Sequence, residues 1–172
     1  AGVMNLGVEG LMLVGGVFGI IGTISTGNPG LGLLTAAAAG AGLALLHAAL
    51  AVSLRVNQIV SGLALVIIGT GLSNYIGKIP DPPLTDRQGV ESFGPILPDT
   101  FRDLPLVGPI FFGHDPVVYV SWALVGIASY YLFRTRPGLA TRAVGEDPAT
   151  ADASGIRVAA VRYLHTVAGG AL

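Results

Sequence analysis

Four long apolar blocks restrict what this chain can fold into more than any other feature. They cover residues 4–25, 31–54, 58–77 and 116–133, and a fifth begins near residue 158. A helix needs about 20 mainly apolar residues to cross a bilayer. Only 11% of the residues are charged, whereas soluble domains carry about 25%. The sequence therefore predicts an all-α, polytopic transmembrane helix bundle with about four spanning helices and the start of a fifth.

Both ends of the sequence lie inside apolar stretches, "AGVMNLGVEG" and "LHTVAGGAL". We therefore expect residues 1–172 to form a single transmembrane domain that is truncated at both ends and belongs to a larger protein. The chain has no cysteine, which excludes disulfides and thiolate metal sites.

The segments between the blocks differ in charge, and this difference predicts their sides of the membrane. Segment 134–157 is rich in arginine, whereas segment 78–115 has an excess of Asp and Glu and holds seven of the eleven prolines. Short arginine-rich loops stay in the cytoplasm. We therefore expect 134–157 in the cytoplasm, 78–115 as an extracytoplasmic loop, and Arg55 at a cytoplasmic turn.

The basic segment contains the signals of a short helix. Asp147 is a favourable N-cap, Pro148 suits the first helical position, and Gly155 suits the C-terminal cap. This spacing predicts a two-turn helix over 148–154. Such a helix could dock on another protein and transmit a push to both flanking helices, or it could be an ordinary capped connector. Spacing alone does not choose between the two.

Three stretches resemble one family of transport proteins: "RPGLATRAVGEDPATADASGI", "NLGVEGLMLVGG" and "LRVNQIVSGLAL". They are similar to permeases of ATP-binding cassette (ABC) importers for branched-chain amino acids, ribose and simple sugars. The nearest branch is the nucleoside branch, which works with basic membrane lipoproteins. The resemblance covers nearly the whole chain. It implies that a coupling segment contacts an ATPase through Gly145, Glu146, Asp147, Pro148, Ala151 and Gly155.

The resemblance implies a transport subunit of a bacterial or archaeal cytoplasmic membrane rather than an enzyme. The subunit would import a nucleoside or simple sugar by alternating access. The implied partners are ATPase subunits, a second permease subunit (identical or related), an extracytoplasmic solute-binding lipoprotein and membrane lipid, with no nucleic acid. No Walker A pattern occurs in the sequence, so ATP and Mg²⁺ would bind the partner ATPase, and this chain would hold no cofactor.

Polar residues in or beside the apolar blocks are candidates for lining a translocation path: Asn5, Glu9, Asn57, Gln58 and Ser61. Asn5 and Glu9 are four residues apart and would share one face of a helix. Ionisable residues in membrane helices usually face the bundle interior or a water-filled cavity. Glu9 could instead cap a half-helix or pair with a neighbouring helix. Asn57 could instead serve as an N-cap.

A secondary transporter or channel, with Glu9 as a proton or cation site, is the alternative function. Neither a catalytic nor a metal site is predicted, because the sequence shows no nucleophile–base pair or HExxH arrangement. His165 has no acidic residue three or four positions away. His47 stands alone on an Ala/Leu-rich block, and we expect it to hydrogen-bond between helices.

Overall fold

A computed structural model describes residues 1–80, 83–86, 93–94 and 113–172, and every regular element among them is helical. The elements are α1 (Val8–Thr26), α2 (Pro29–Ala48) with a π-helical turn (Ala49–Ser53), α3 (Gln58–Ile76), a 3₁₀ turn (Leu84–Asp86), α4 (Pro116–Arg134), α5 (Arg136–Glu146), α6 (Pro148–Ala153) and α7 (Val158–Ala171). The predicted all-α class is confirmed.

Four helices in the described part of the chain are long and apolar enough to cross a membrane: Val8–Thr26, Pro29–Ser53, Gln58–Ile76 and Pro116–Arg134. The four predicted blocks are thus confirmed, with shifts of a few residues at their ends. Most of the predicted loop 78–115 lies outside the described residues.

The chain forms two compact units. One comprises Ala1–Glu91 and Ala140–Leu172, and the other comprises Ser92–Leu139. In the first unit, α1 packs against α2 and α3, while α2 also packs against α7. The second unit contains α4 and the first residues of α5.

The turn between α1 and α2 shows how the sequence ends one spanning helix and starts the next. Gly27 adopts a left-handed conformation with φ +63° and ends α1. The Asn28 side chain then accepts a hydrogen bond from the Gly30 N–H at 2.8 Å, and Pro29 occupies the first helical position. Residues 26–30 thus connect the first two apolar blocks by a short turn.

Glycines allow close contact at two helix crossings in the first unit. A Cβ atom on Gly10 of α1 would overlap the carbonyl oxygen of Leu65 in α3, and one on Gly69 would lie 2.5 Å from the Gly10 Cα. A Cβ on Gly40 of α2 would likewise overlap the carbonyl oxygen of Gly170 in α7. Small residues let helix backbones approach in lipid, where packing drives association. Glycine is therefore required for both crossings at this spacing.

Candidate functional site

The short helix α6 is fixed at its N-terminus by Asp147. One carboxylate oxygen of Asp147 accepts hydrogen bonds from the backbone N–H groups of Ala149 and Thr150, at 3.0 and 3.1 Å. The other accepts a bond from the Thr150 hydroxyl at 2.6 Å. These bonds satisfy donors that a helix N-terminus otherwise leaves unpaired. The predicted N-cap is confirmed.

The C-terminus of α6 is closed by a Schellman motif. Gly155 has φ +83°, and its N–H donates to the Asp152 carbonyl at 2.9 Å. The Ile156 N–H donates to the Ala151 carbonyl at 3.1 Å. Both bonds are those expected of this cap. The helix ends at Ala153, one residue before the predicted end, and both of its ends are tied by hydrogen bonds.

The residues of α6 divide into an inner and an outer face. Ala151 is only 3% exposed, so its side chain points into the chain. Ala149, Asp152 and Ala153 are exposed, as is Glu146 at the end of α5. A protein that docked on α6 would therefore meet this outer face and would not touch the Ala151 side chain.

The end of α5 beside α6 is anchored from two directions. Gly145 lies against the first residues of the chain, since a Cβ on Gly2 would be 3.3 Å from the Gly145 Cα. The Thr141 hydroxyl bonds to His165 Nε2 at 3.0 Å, and His165 Nδ1 donates to the Val161 carbonyl at 2.7 Å. Through this histidine, α5 is connected to α7.

A second polar cluster holds the segment before α1 against α2 and α3. The Met4 N–H donates to the Gln58 side-chain oxygen at 2.7 Å. His47 is fully buried, and its Nε2 donates to the Met4 carbonyl at 3.1 Å. The Ser61 hydroxyl forms a 2.8 Å hydrogen bond with His47 Nδ1. The expected interhelical role of His47 is confirmed.

The prediction that Asn5 and Glu9 share a helical face is wrong, because α1 begins only at Val8. The Asn5 side chain accepts a hydrogen bond from the Gly7 N–H at 3.0 Å. Such local bonds compete with helix formation. Glu9 is exposed and sits in the first turn of α1, where the helix dipole favours a carboxylate.

The three candidates around the start of α3 take different places. Asn57 is the N-cap, and its side chain accepts from the N–H groups of Ile59 and Val60 at 2.9 and 3.3 Å. Gln58 bonds to Met4, whereas Ser61 is buried and bonds to His47, which in turn bonds to Met4. The structure thus brings Gln58 and Ser61 together with His47. A path-lining role for these residues stays a prediction.

An open groove of about 880 Å³ lies between α6, the start of α7 and the turn after α2. Its charged lining is Arg55, Arg157, Arg162 and Asp152; its other lining residues are Ala51, Val52, Val56, Gln58, Pro148, Ala149, Val158, Ala159 and Ala160. We call it the arginine groove. The groove was not predicted from the sequence, although an arginine inside the apolar stretch after residue 157 was a usable signal.

No cluster of His, Asp or Glu in the described ranges could hold a metal ion.

The Asp147 cap makes the folding of α6 dependent on pH. Hydrogen bonds from the Thr150 hydroxyl and N–H lower the pKa of Asp147 below its usual value of 3.8. A depressed folded-state pKa stabilises the helix above the unfolded-state pKa, and this contribution is lost as the pH falls through the folded-state value. We therefore expect protection of the 149–150 amides from hydrogen exchange to fall several-fold below about pH 4.

The same exchange measurement on two variants tests the cap. Asp147→Asn keeps an acceptor, so the protection should remain but lose its pH dependence. Asp152→Asn is the control, because Asp152 is exposed and makes no side-chain hydrogen bond within the described residues. Equal pH dependence in the native chain and Asp147→Asn would contradict the assignment.

Comparison with known proteins finds sequence matches among transport proteins. The family described as "Branched-chain amino acid transport system / permease component" matches residues 1–172. A Haloferax volcanii protein named as a candidate glucose ABC transporter permease is 40% identical over 99% of this chain and 51% of its own length. The guanosine ABC transporter permease of Bacillus subtilis is 38% identical, and the nucleoside ABC transporter permease of Lactococcus lactis is 32% identical.

Those two nucleoside transporter proteins are each matched over 99% of this chain and 56% of their own length. The chain thus spans about half the length of the curated relatives that it matches. No solved structure gives a significant match to this chain.

Proposed function

Because the chain belongs to the permease component family of branched-chain amino acid transport systems, we propose that it forms part of the membrane-spanning subunit of an ABC importer. The imported solute is a small polar molecule that carries a sugar ring, either a nucleoside or a simple sugar. The names of the relatives, which refer to glucose, guanosine and nucleosides, support this solute class. The protein is a multi-pass protein of the cytoplasmic membrane.

The observation that carries this proposal is the doubly capped helix α6. It is too short to span a membrane, its two ends are hydrogen-bonded, and its outer face is exposed. A docked ATPase that closes on ATP would push this outer face. Because hydrogen bonds fix both ends, α6 would move as a rigid piece and would not unravel.

The elements on either side of α6 can transmit its movement to the helix bundle. On one side, Asp147 joins α6 directly to α5. On the other, residues 155–157 join it to α7, which packs against α2. We propose that segment 134–157 faces the cytoplasm and that loop 78–115 lies outside the cell. Movement of α6 would then switch the bundle between its inward-open and outward-open states.

The chemistry is divided between subunits. ATP and Mg²⁺ bind on the ATPase, and this chain holds no cofactor. A second permease subunit completes the path, and an extracytoplasmic lipoprotein delivers the solute. The coupling residues are Gly145, Glu146, Asp147, Pro148, Ala151 and Gly155, of which Asp147 and Gly155 act by capping α6 and Ala151 by packing beneath it.

We retain Glu9 as the leading candidate for a path-lining side chain. It is exposed in this chain, and it makes no hydrogen bond or ion pair in the described part. A carboxylate there could accept hydrogen bonds from the hydroxyl groups of a sugar ring. Asn5, Gln58 and Ser61 have their oxygen atoms engaged in hydrogen bonds within the chain.

A competition assay tests the solute class. The complete transporter, purified with its partner subunits and lipoprotein, is reconstituted into vesicles, and uptake of labelled guanosine is measured with excess unlabelled glucose, guanosine or leucine. We expect guanosine or glucose to compete and leucine to have no effect. Competition by leucine alone, or guanosine uptake that no unlabelled compound reduces, would contradict the proposed solute class.

A further inference from the structure

We propose that the arginine groove binds the phosphate headgroup of an anionic phospholipid, with one acyl chain lying along its apolar wall. The site is not part of the proposed solute path, but Pro148, Ala149 and Asp152 of α6 contribute to its lining. The proposal requires the groove to lie at a membrane surface. The lipid could bind there whether this surface is the cytoplasmic or the extracytoplasmic one.

The charge in the groove is unbalanced. Three guanidinium groups, those of Arg55, Arg157 and Arg162, face a single carboxylate, that of Asp152. Within the described residues, none of the three arginines forms an ion pair. The Arg162 Nε is also buried without a hydrogen-bond partner. A buried unpaired donor is costly, so the groove is set up for an anionic acceptor.

A phosphate group suits this set of donors better than a chloride ion does. The planar fork of an arginine can donate two hydrogen bonds to one phosphate group. A phosphodiester offers two anionic oxygens, so two arginines can bind it at the same time. The single negative charge of the lipid, added to Asp152, would reduce the net charge of the groove from about +2 to about +1.

The position of the groove selects a lipid over a free anion. Ala51 and Val52 lie at the end of the candidate span Pro29–Ser53, and Gln58 starts the next span. The groove therefore opens where two spanning helices reach the membrane surface. Alanine and valine side chains form much of its wall, which suits an acyl chain. Basic pockets between helices at this depth bind anionic lipid headgroups.

The backbone beside the groove is held in an unusual conformation. Arg55 has φ +51°, the only positive value among the described non-glycine residues. The π-helical turn before it holds this geometry, because the Leu54 N–H donates to the Ala49 carbonyl at 3.1 Å and the Val56 N–H to the Leu50 carbonyl at 3.0 Å. Ser53 and Tyr163 are joined by a 2.6 Å hydrogen bond. Such local strain concentrates at binding sites.

The test measures retained lipid on the complete transporter. The complex is reconstituted in nanodiscs that contain phosphatidylglycerol and phosphatidylcholine, then extracted and examined by native mass spectrometry. We expect bound phosphatidylglycerol on the native complex and at least a tenfold loss in the double variant Arg157→Gln, Arg162→Gln. The control Arg134→Gln, Arg136→Gln removes the same charge from exposed positions outside the groove and should keep the lipid.

Three results would overturn the proposal. One is equal lipid retention in both double variants. Another is displacement of the lipid by excess inorganic phosphate, which would make the groove a site for a free anion. The third is loss of the ATPase from the groove variant with unchanged lipid, which would make the groove a protein interface.

A photoactivatable phosphatidylglycerol gives a readout that needs no variant. With the native complex, we expect cross-links to map to residues 51–58 and 157–162. Cross-links confined to other segments would also contradict the site, even if the double variant fails to assemble.

Discussion

Gly10→Ala is expected to lower the amount of folded protein about tenfold or more, because the new methyl group would overlap the α3 backbone at Leu65. A backbone oxygen cannot rotate away as the end of a side chain can, so α1 and α3 must separate. Overpacking of this kind costs about 1–3 kcal/mol. The effect is concentrated at the α1–α3 crossing, where Gly69 of α3 faces the same point.

Two controls separate this steric effect from the effect of alanine on helix propensity. Gly16 of α1 and Gly71 of α3 have no atom within 4 Å of a built Cβ. Gly16→Ala and Gly71→Ala should therefore be neutral or stabilising by up to about 1 kcal/mol. The measurement is the yield and thermal midpoint of monodisperse protein in detergent. Equal midpoints for Gly10→Ala and Gly16→Ala would show that the α1–α3 crossing is not formed as described.

Ala153→Trp is expected to reduce solute uptake to below about a tenth of the native rate while the chain still inserts and assembles into the membrane. Ala153 is exposed on the outer face of α6, so a large side chain there disturbs no packing within the chain. It would instead prevent α6 from seating in a groove of the ATPase, which removes a pre-organised contact. Glu146→Arg, which reverses a charge on the same exposed side, should act in the same direction.

The matched control for the bulky variant is Leu139→Trp, at an exposed position of α5 outside the capped helix. It should retain most of the uptake. Membrane content of each variant is measured by immunoblot, and uptake is measured in proteoliposomes. Native uptake by Ala153→Trp would rule out α6 as the docking element.

Those features of the fold that depend on local chemistry could be predicted from the sequence. The spanning helices follow from the length of the apolar blocks. The cap of α6 follows from Asp147, Pro148 and Gly155, whose roles require only neighbouring backbone groups. His47 was expected between helices because a lone histidine among alanines and leucines must find partners in the bundle.

Features that depend on long-range packing could not be predicted. The helical face proposed for Asn5 was wrong, since Asn5 bonds to Gly7 and the segment before α1 is held by residues from α2 and α3. The arginine groove combines residues more than a hundred positions apart, such as Arg55 and Arg162. Periodicity within one helix carries no information about such pairs, whereas the crossing of helices determines them.

The energy source for uptake distinguishes an ABC importer from a secondary transporter. Vesicles that contain the complete transporter, with its partner permease, ATPase and lipoprotein, are supplied with labelled solute in the presence of ATP, a non-hydrolysable ATP analogue, or ATP with an uncoupler. If the chain is part of an ABC importer, uptake requires ATP hydrolysis and persists with the uncoupler. Uptake that needs no ATPase, collapses with the uncoupler and is lost in Glu9→Gln would contradict the assignment to an ABC importer and would identify a secondary transporter.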